Sequence, residues 1–418
     1  MSVLAHPLRR LARKLLDLAL APVGLAIILP AFVVVALQSK RPDKPRLLWG
    51  ALPIKTLSYT SAAMRKLGYV SDVWTIELYP IVGAKDFHRI CDSGLNGRSL
   101  AGYVANTMLV FFAFAQALVR YDIFHYFFDG GLLQRTALRR WEYALLKLAG
   151  KRLVLLPYGS DSFVYDEVPN QGWRFALMIN YGEAGTRAGQ IQSFVRLGCK
   201  WADCVVGCLV HTVNLPRVDV LPLTWYPIDL ERLQPRLPRT DGLIHIAHAP
   251  NHRGPKGTEF LLDAVDRLRA EGHDVELTLI EKMPNDRAIE VIAQADIFVD
   301  QLIFGYALAA LEGMALGKVV ITGFEWDGPE YLAFRRYSFL DECPAVPASP
   351  ETIYGVLADL IARRAEWPEI GARTRAFAER RHSDAFVGDL FEQIYRRIWL
   401  GECVDLPALY KPEKRAAK

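Results

Sequence analysis

The stretch HAPNHRGPKGTEFLLDAV, residues 248–265, sets His252, Arg253 and Lys256 among two glycines and two prolines, directly ahead of an apolar helical pattern. The backbone N–H groups at a helix start favour an anion. Arg253 offers a planar fork for two phosphate oxygens, and Lys256 adds a point charge. Gly254 and Gly257 let the backbone approach a ligand closely. The spacing is neither that of a P-loop nor that of G-x-G-x-x-G. A plainer alternative is a turn carrying two solvated cations. The second candidate group is Glu312, which lies among Leu311, Met314 and Leu316 in QLIFGYALAALEGMALGKVVI. A carboxylate in such company needs a partner, and the two hydroxyls of a nucleotide ribose would serve. The alternative is a carboxylate facing solvent on an ordinary helix. Gly305 and Tyr306 precede that helix, and Gly317 ends it.

Such groups work only if a scaffold brings their loops together. From residue 243 onward the pattern alternates: LIHIAHA as strand, EFLLDAVDRLRAEG as helix, VELTLIE as strand, RAIEVIAQA as helix, DIFVDQL as strand, ALAALEGMALG as helix, KVVITG as strand. Repeated βα units with short links predict a parallel sheet covered by helices. Ligands bind such sheets beyond the carboxyl ends of the strands, which singles out loops 248–257, 281–286, 300–307 and 322–330. The first half opens in the same way. RLLWG reads as a strand, ALPIKTLSY as a loop running into a helix, and VSDVWTIEL as the next strand. Apolar helices over 103–119 and 137–148 alternate with strands in YDIFHYFF, RLVLLPYGSD and CVVGCL. The proline-rich QPRLPRTDG, residues 234–242, is the best linker. The expected division is an N-terminal segment 1–46, an α/β domain 47–235, a second 236–383, and a helix with a frayed tail over 384–418.

A chain of 418 residues exceeds one ordinary core. Its formal charge is +4, but residues 1–46 hold eight Lys or Arg against two Asp, leaving −2 for the rest. No domain-wide basic footprint for nucleic acid exists. Residues 18–37 are all apolar, glycine or proline, long enough to span a membrane. Pro22 and Pro30 interrupt the run, and Pro30 could kink a hairpin that enters and leaves one leaflet. RPDKPR follows where a cleaved signal would carry small residues, so membrane association through 1–46 is expected. The alternative is a buried apolar helix. Basic residues flank both ends, which leaves orientation open. Six cysteines without a CxxC pair fit a reduced, cytosolic setting with no metal centre.

The second half resembles the retaining GT-B glycosyltransferases of the family 4 type. Arg253 and Lys256 before GTEFLLDAVDRL match the family's donor-diphosphate cations. EGMALGKVV, from Glu312, matches the second half of its Glu-x7-Glu motif, with Val319 where proline is usual and Phe304 where the first glutamate falls. HAP-x5-KGT, ADI-x-VDQL and PYGSD extend the resemblance to a subgroup, and it spans roughly residues 47–400. It implies two Rossmann-like domains facing a cleft, with Glu312 on the ribose and Gly257, Thr258, Gly305 and Tyr306 around the donor. It implies a histidine near His125, although the His-x-His pattern is broken by Phe127. Gly50 and Lys55 would sit in the first loop, and Asp161 would orient an acceptor or brace the cleft. The expected activity is retaining transfer from a UDP- or GDP-linked sugar, without a metal or other cofactor. The acceptor would be a lipid-linked or polysaccharide molecule at the cytoplasmic membrane face, reached by a peripheral or single-anchor protein. The alternatives are a non-catalytic nucleotide-sugar-binding or scaffold protein, an epimerase, or a glycogen-type synthase.

Overall fold

The computed structural model describes residues 5–38, 41–79, 82–97, 99–168, 170–207, 215–222, 226–305, 307–324, 332, 335–336 and 338–410. Candidate Tyr306, most of loop 322–330, Cys208 and the expected frayed tail 411–418 lie outside them.

A long helix, α1 (Ala5–Leu37), precedes the first sheet. That sheet holds β1 (Leu47–Trp49), β2 (Ser71–Thr75), β3 (Arg89–Ile90), β4 (Ile123–Tyr126), β5 (Arg152–Leu155), β6 (Cys204–Gly207) and β7 (Leu221–Pro222). All are parallel, in the order β3-β2-β1-β4-β5-β6-β7. Parallel strands are buried on both faces. Leu48, Phe124 and Leu153 face α3 (Leu100–Arg120), α4 (Glu142–Leu148), α5 (Gln171–Gly185) and α6 (Ala188–Trp201). Leu47, Trp49 and Ile123 face the opposite way, toward α2 (Lys55–Lys66).

The second sheet is also parallel, β8 (Ile244–His248), β9 (Val275–Leu279), β10 (Ile297–Val299), β11 (Val319–Thr322) and β12 (Val346–Pro347), ordered β12-β11-β10-β8-β9. A four-residue turn of helix, α7 (Arg253–Lys256), leads into α8 (Thr258–Ala270). With α11 (Ile353–Ala362), α8 covers Ile246, Val299 and Ile321. On the other face α9 (Asn285–Gln294), α10 (Leu308–Ala315) and α12 (Trp367–Arg381) cover Ala247, Phe298 and Val320.

The last helix, α13 (Asp384–Tyr395), starts at Ser383, whose hydroxyl accepts from the Phe386 N–H, and returns to the first sheet. There Phe391 and Ile394 pack with Leu47 and Trp49. The two chain crossings between the sheets are tied to each other. Ile228 N–H donates to His382 O at 2.8 Å, and His382 Nδ1 lies 3.0 Å from Tyr226 O. The proline-rich stretch is pinned rather than loose: Arg239 grips Asp296 at 2.7 Å, and Arg364 donates to the Gly242 carbonyl at 2.6 Å.

The structure corrects the hairpin expectation for the N-terminal segment. α1 runs unbroken through Pro22 and Pro30. Each proline removes one helical N–H, and packing along α3 holds the rod together. Gly24 lies flat on Phe111, where a Cβ would come within 2.6 Å of the ring, and Ile28 and Ala31 are buried. Nor is α1 a buried core helix, since only 17% of the most apolar 18-residue window within Ala12–Leu37 is buried. By length and composition it suffices to cross a membrane, as does α3, with 44% buried.

Candidate functional site

In each sheet the first strand sits between two neighbours whose connections leave to opposite sides. β1 lies between β2 and β4, and β8 between β9 and β10. Such a reversal opens a crevice at the carboxyl ends of the strands. It is formed by loops 50–54 and 127–131 in the first sheet, and by loops 249–257 and 300–307 in the second. At Gly50 a Cβ would stand 2.9 Å from the Trp74 carbonyl, so only glycine passes there without displacement.

Glu312 on α10 is 3% exposed. The solvent-facing alternative is therefore excluded. Its Oε1 accepts from the Tyr59 hydroxyl of α2 at 3.2 Å and from Asn285 Nδ2 of α9 at 2.9 Å. Burial pushes its pKa up, against these two hydrogen bonds and the charges of Lys55 and Arg232. The carboxylate thus joins the two sheets across their seam. Asn285 Oδ1 is buried with no partner among the described residues. Lys55 Nζ pairs with Asp86 at 2.6 Å and lies over the Tyr59 ring. Further out, Asp286 accepts from Lys85 of the first domain at 2.6 Å and from Arg232 at 2.7 Å.

The two cations of the opening loop part company. Lys256 is 8% exposed and its Nζ meets Asp300 at 2.5 Å. Asp300 is fully buried, and its other oxygen accepts the Ala307 N–H ahead of α10 at 2.7 Å. Arg253 instead spreads its fork over Glu281 (2.8 and 3.1 Å) and reaches Glu259 at 3.1 Å. Those carboxylates hold its pKa up. Gly257 joins α7 to α8 with φ +71°, the left-handed region, against Leu302 Cβ. Thr258 is buried, its hydroxyl 2.8 Å from His248 Nε2. Gly305 O accepts from the Gln301 amide.

Two residues of the first domain fall elsewhere. His125, expected near the reaction, is fully buried in the core. Its Nδ1 lies 3.2 Å from Leu48 O, its Nε2 2.9 Å from the Tyr395 hydroxyl, and its ring stacks on Trp49. Burial pushes its pKa down to about 3. This corrects the catalytic expectation: a neutral ring with both nitrogens engaged beneath the sheet has no access to a substrate. Asp161 is 1% exposed and accepts three backbone N–H groups, from Phe128, Tyr158 and Gly159. Burial and nearby Asp129 push its pKa up to about 8. It ties the loop after β4, which forms part of the crevice, to the loop after β5. Phe304, where the family places its first glutamate, packs with Phe163 and Trp173.

The structure therefore brings Glu312, Lys256 and Gly50 to the crevice region and leaves His125 and Asp161 as internal braces. Tyr59, Asn285 and Asp300 are added. DIFVDQL held Asp300 in plain view, but nothing local distinguishes Tyr59, which meets Glu312 across 253 residues of sequence. Among the described residues no group of three or more His, Cys, Asp or Glu is placed to hold a metal ion.

No family model and no curated protein matches the chain. Solved structures do. Anabaena HepE, in complex with UDP-glucose, aligns with a TM-score of 0.53 at 12% identity, over 85% of this chain and 99% of its own. A glycosyltransferase from Rickettsia africae aligns at 0.50 and 14%, over 86% and 100%. An α-glucosyltransferase in complex with UDP and DNA aligns at 0.50 and 10%, over 84% and 100%. The shared feature is the fold: two Rossmann-like parallel-sheet domains, consistent with GT-B.

Proposed function

We propose that the protein is a retaining, family 4-like glycosyltransferase. It moves a sugar from a UDP- or GDP-linked donor to a lipid-linked or polysaccharide acceptor at the cytoplasmic membrane face. The observation that carries this reading is the seam at Glu312. A buried carboxylate with neutral hydrogen-bond donors is costly; here it bridges from the second domain to Tyr59 of the first, beside Asn285 Oδ1, which has no partner among the described residues. A ribose offers hydroxyls to both. The donor phosphates would lie toward the start of α10, whose N–H groups favour an anion, and Lys256 would meet them only by leaving Asp300. Arg253 would join them only by exchanging Glu281 for phosphate. Retention through departure and attack on one face is what the resemblance implies. α1 supports the membrane location through its outward apolar side.

The test is a panel of nucleotide-sugars offered with membrane lipid extract, followed by nucleotide release and by the anomeric configuration of the product. Donor-dependent release that needs the extract supports the reading, and release of an inverted product overturns retention. The non-catalytic alternative is favoured by one observation, the core position of His125. It predicts nucleotide binding with no turnover for any donor.

A further inference from the structure

A cavity of about 720 Å³ opens between α5 and the carboxyl-end loops of the second sheet, with Arg253, Gly257 and Thr258 among its lining residues. Its roof is α5. Its floor is the start of α8 and the loop after β10, where Phe260, Leu302 and Ile303 face Trp173, Ala176 and Ile179. The roof is tied down at both ends: Trp173 Nε1 donates to Ile303 O at 2.8 Å, and Asn180 Oδ1 accepts the Gly254 N–H at 3.0 Å. Size and lining are those of a small-molecule site, apolar with a few polar groups at one end.

Two observations identify the occupant. The cavity lies on the same side of the first sheet as α1, because Trp173 and Leu177 of α5 share one continuous apolar cluster with Ile28 and Ala31 of α1 and with Phe111 of α3. Phe175 and Ile179 of the lining, and Met178 beside them on α5, are apolar and each more than half exposed. The polar end is acidic: Glu259 and Glu351 line it, Glu281 stands behind, and Arg253 is the one cation facing them among the lining residues. Carboxylates there repel an anionic head and accept hydrogen bonds from hydroxyls.

We infer that this cavity holds the hydrocarbon chain of a membrane amphiphile with a neutral, hydroxylated head, and that this amphiphile is the acceptor. The inference rests on the transferase reading for the word acceptor, but not for the binding site. An exposed chain enters from the membrane side past Ile179, and its sugar-like head lies against Glu259 and Glu351 at the end nearest the α7 loop.

The experiment uses full-length protein in phosphatidylcholine nanodiscs and two photoreactive probes of equal chain length, a dodecyl glucoside and a dodecyl phosphate. The glucoside should label peptides from 171–185 and 258–260 at least fivefold more than the phosphate does. Ala176→Trp, which fills the cavity, and Ile179→Lys, which charges its exposed mouth without touching the core, should each remove most of that labelling. Nucleoside diphosphate binding measured on the same samples reports folding and the donor site separately. Labelling confined to α1 and α3, or unchanged in both variants, overturns the cavity assignment. Equal labelling by the phosphate overturns the neutral head. Loss of nucleotide binding with cavity labelling intact would instead refute the transferase reading and leave the lipid site standing.

Discussion

At the scale of single residues, Glu312 and Lys256 make separable predictions. Glu312 is engaged by Tyr59 in the donor-free protein, so a ribose must take the place of the tyrosine hydroxyl. Glu312→Gln should weaken nucleoside diphosphate binding by about 1–3 kcal/mol, the range for a hydrogen bond to a charged group. Tyr59→Phe should strengthen it, by up to about 1 kcal/mol. Calorimetric titration reads both, and equal affinities in the two variants would remove Glu312 from the donor site. For Lys256, the buried pair with Asp300 confuses structure with function. Lys256→Ala strands a buried carboxylate and should cost about 3–5 kcal/mol of stability. Adding Asp300→Asn should restore melting without restoring turnover. If the double variant also turns over normally, the lysine is a brace and not a phosphate ligand. Arg253→Ala should leave melting unchanged, its pairs being exposed. The sequence marked Glu312 by the mismatch between its charge and its neighbours, and the structure places it at the seam. It presented Arg253 and Lys256 as equals, because their difference arises only from partners distant in sequence, Glu281 for the one and Asp300 for the other. It gave no means to place His125, since a parallel strand is apolar on both faces and alternation carries no information there.

At the scale of elements, the βα alternation of the second half was legible because short apolar strands and amphipathic helices alternate regularly and are punctuated by turn residues. β8 to β11 and their helices stand where the pattern predicts them. The N-terminal helix was legible in composition but not in shape. Proline reads as a breaker in isolation, and only the neighbouring surface of α3 shows why it does not break here. That surface also changes what removal of α1 would do. A chain starting at Arg46 would uncover Phe111, so deletion confounds membrane release with exposed core. Charging the outward side is the cleaner change. Leu18, Leu29 and Val33 are 58–64% exposed. Replacing all three by Lys should leave the α1–α3 contact intact while adding about 2.5–3.5 kcal/mol per residue at bilayer depth. The wild-type protein should stay with membranes washed at high salt, and the triple variant should leave them. Retention of the triple variant would mean that charge, or the cavity beside α5, holds the protein to the bilayer.

At the scale of the whole molecule, buried titratable groups distributed over both domains set a pH optimum for stability. His125 in the first core, His248 in the second sheet and His382 at the crossing are held neutral by burial, with folded-state pKa values of about 3, 4 and 4. The unfolded chain protonates them near 6.5. Below that pH the unfolded state binds the extra protons, so their contribution is complete above 6.5 and is lost as pH falls toward 4. Glu142 and Asp161 act in the opposite sense. Burial raises both folded-state values to about 8, so they keep protons that the unfolded chain has already released. Their contribution is lost as pH rises from about 4 to about 8. Between about 5 and 6.5 three histidines outweigh two carboxyls, and stability climbs with pH. Above 6.5 the carboxyls dominate, with Glu312 raised by burial in the same sense, and stability falls by up to about 2.7 kcal/mol per unit of pH for Glu142 and Asp161 together. The maximum should therefore lie near pH 6.5, read as the highest Tm of nanodisc-bound protein followed by tryptophan fluorescence. Glu142→Gln should flatten the alkaline side, and His125→Gln should flatten the acid side while leaving the alkaline one unchanged. A Tm that is level from about pH 6 to about pH 8 in the wild type would show that the two carboxyls ionise inside the fold, with their backbone N–H donors outweighing burial.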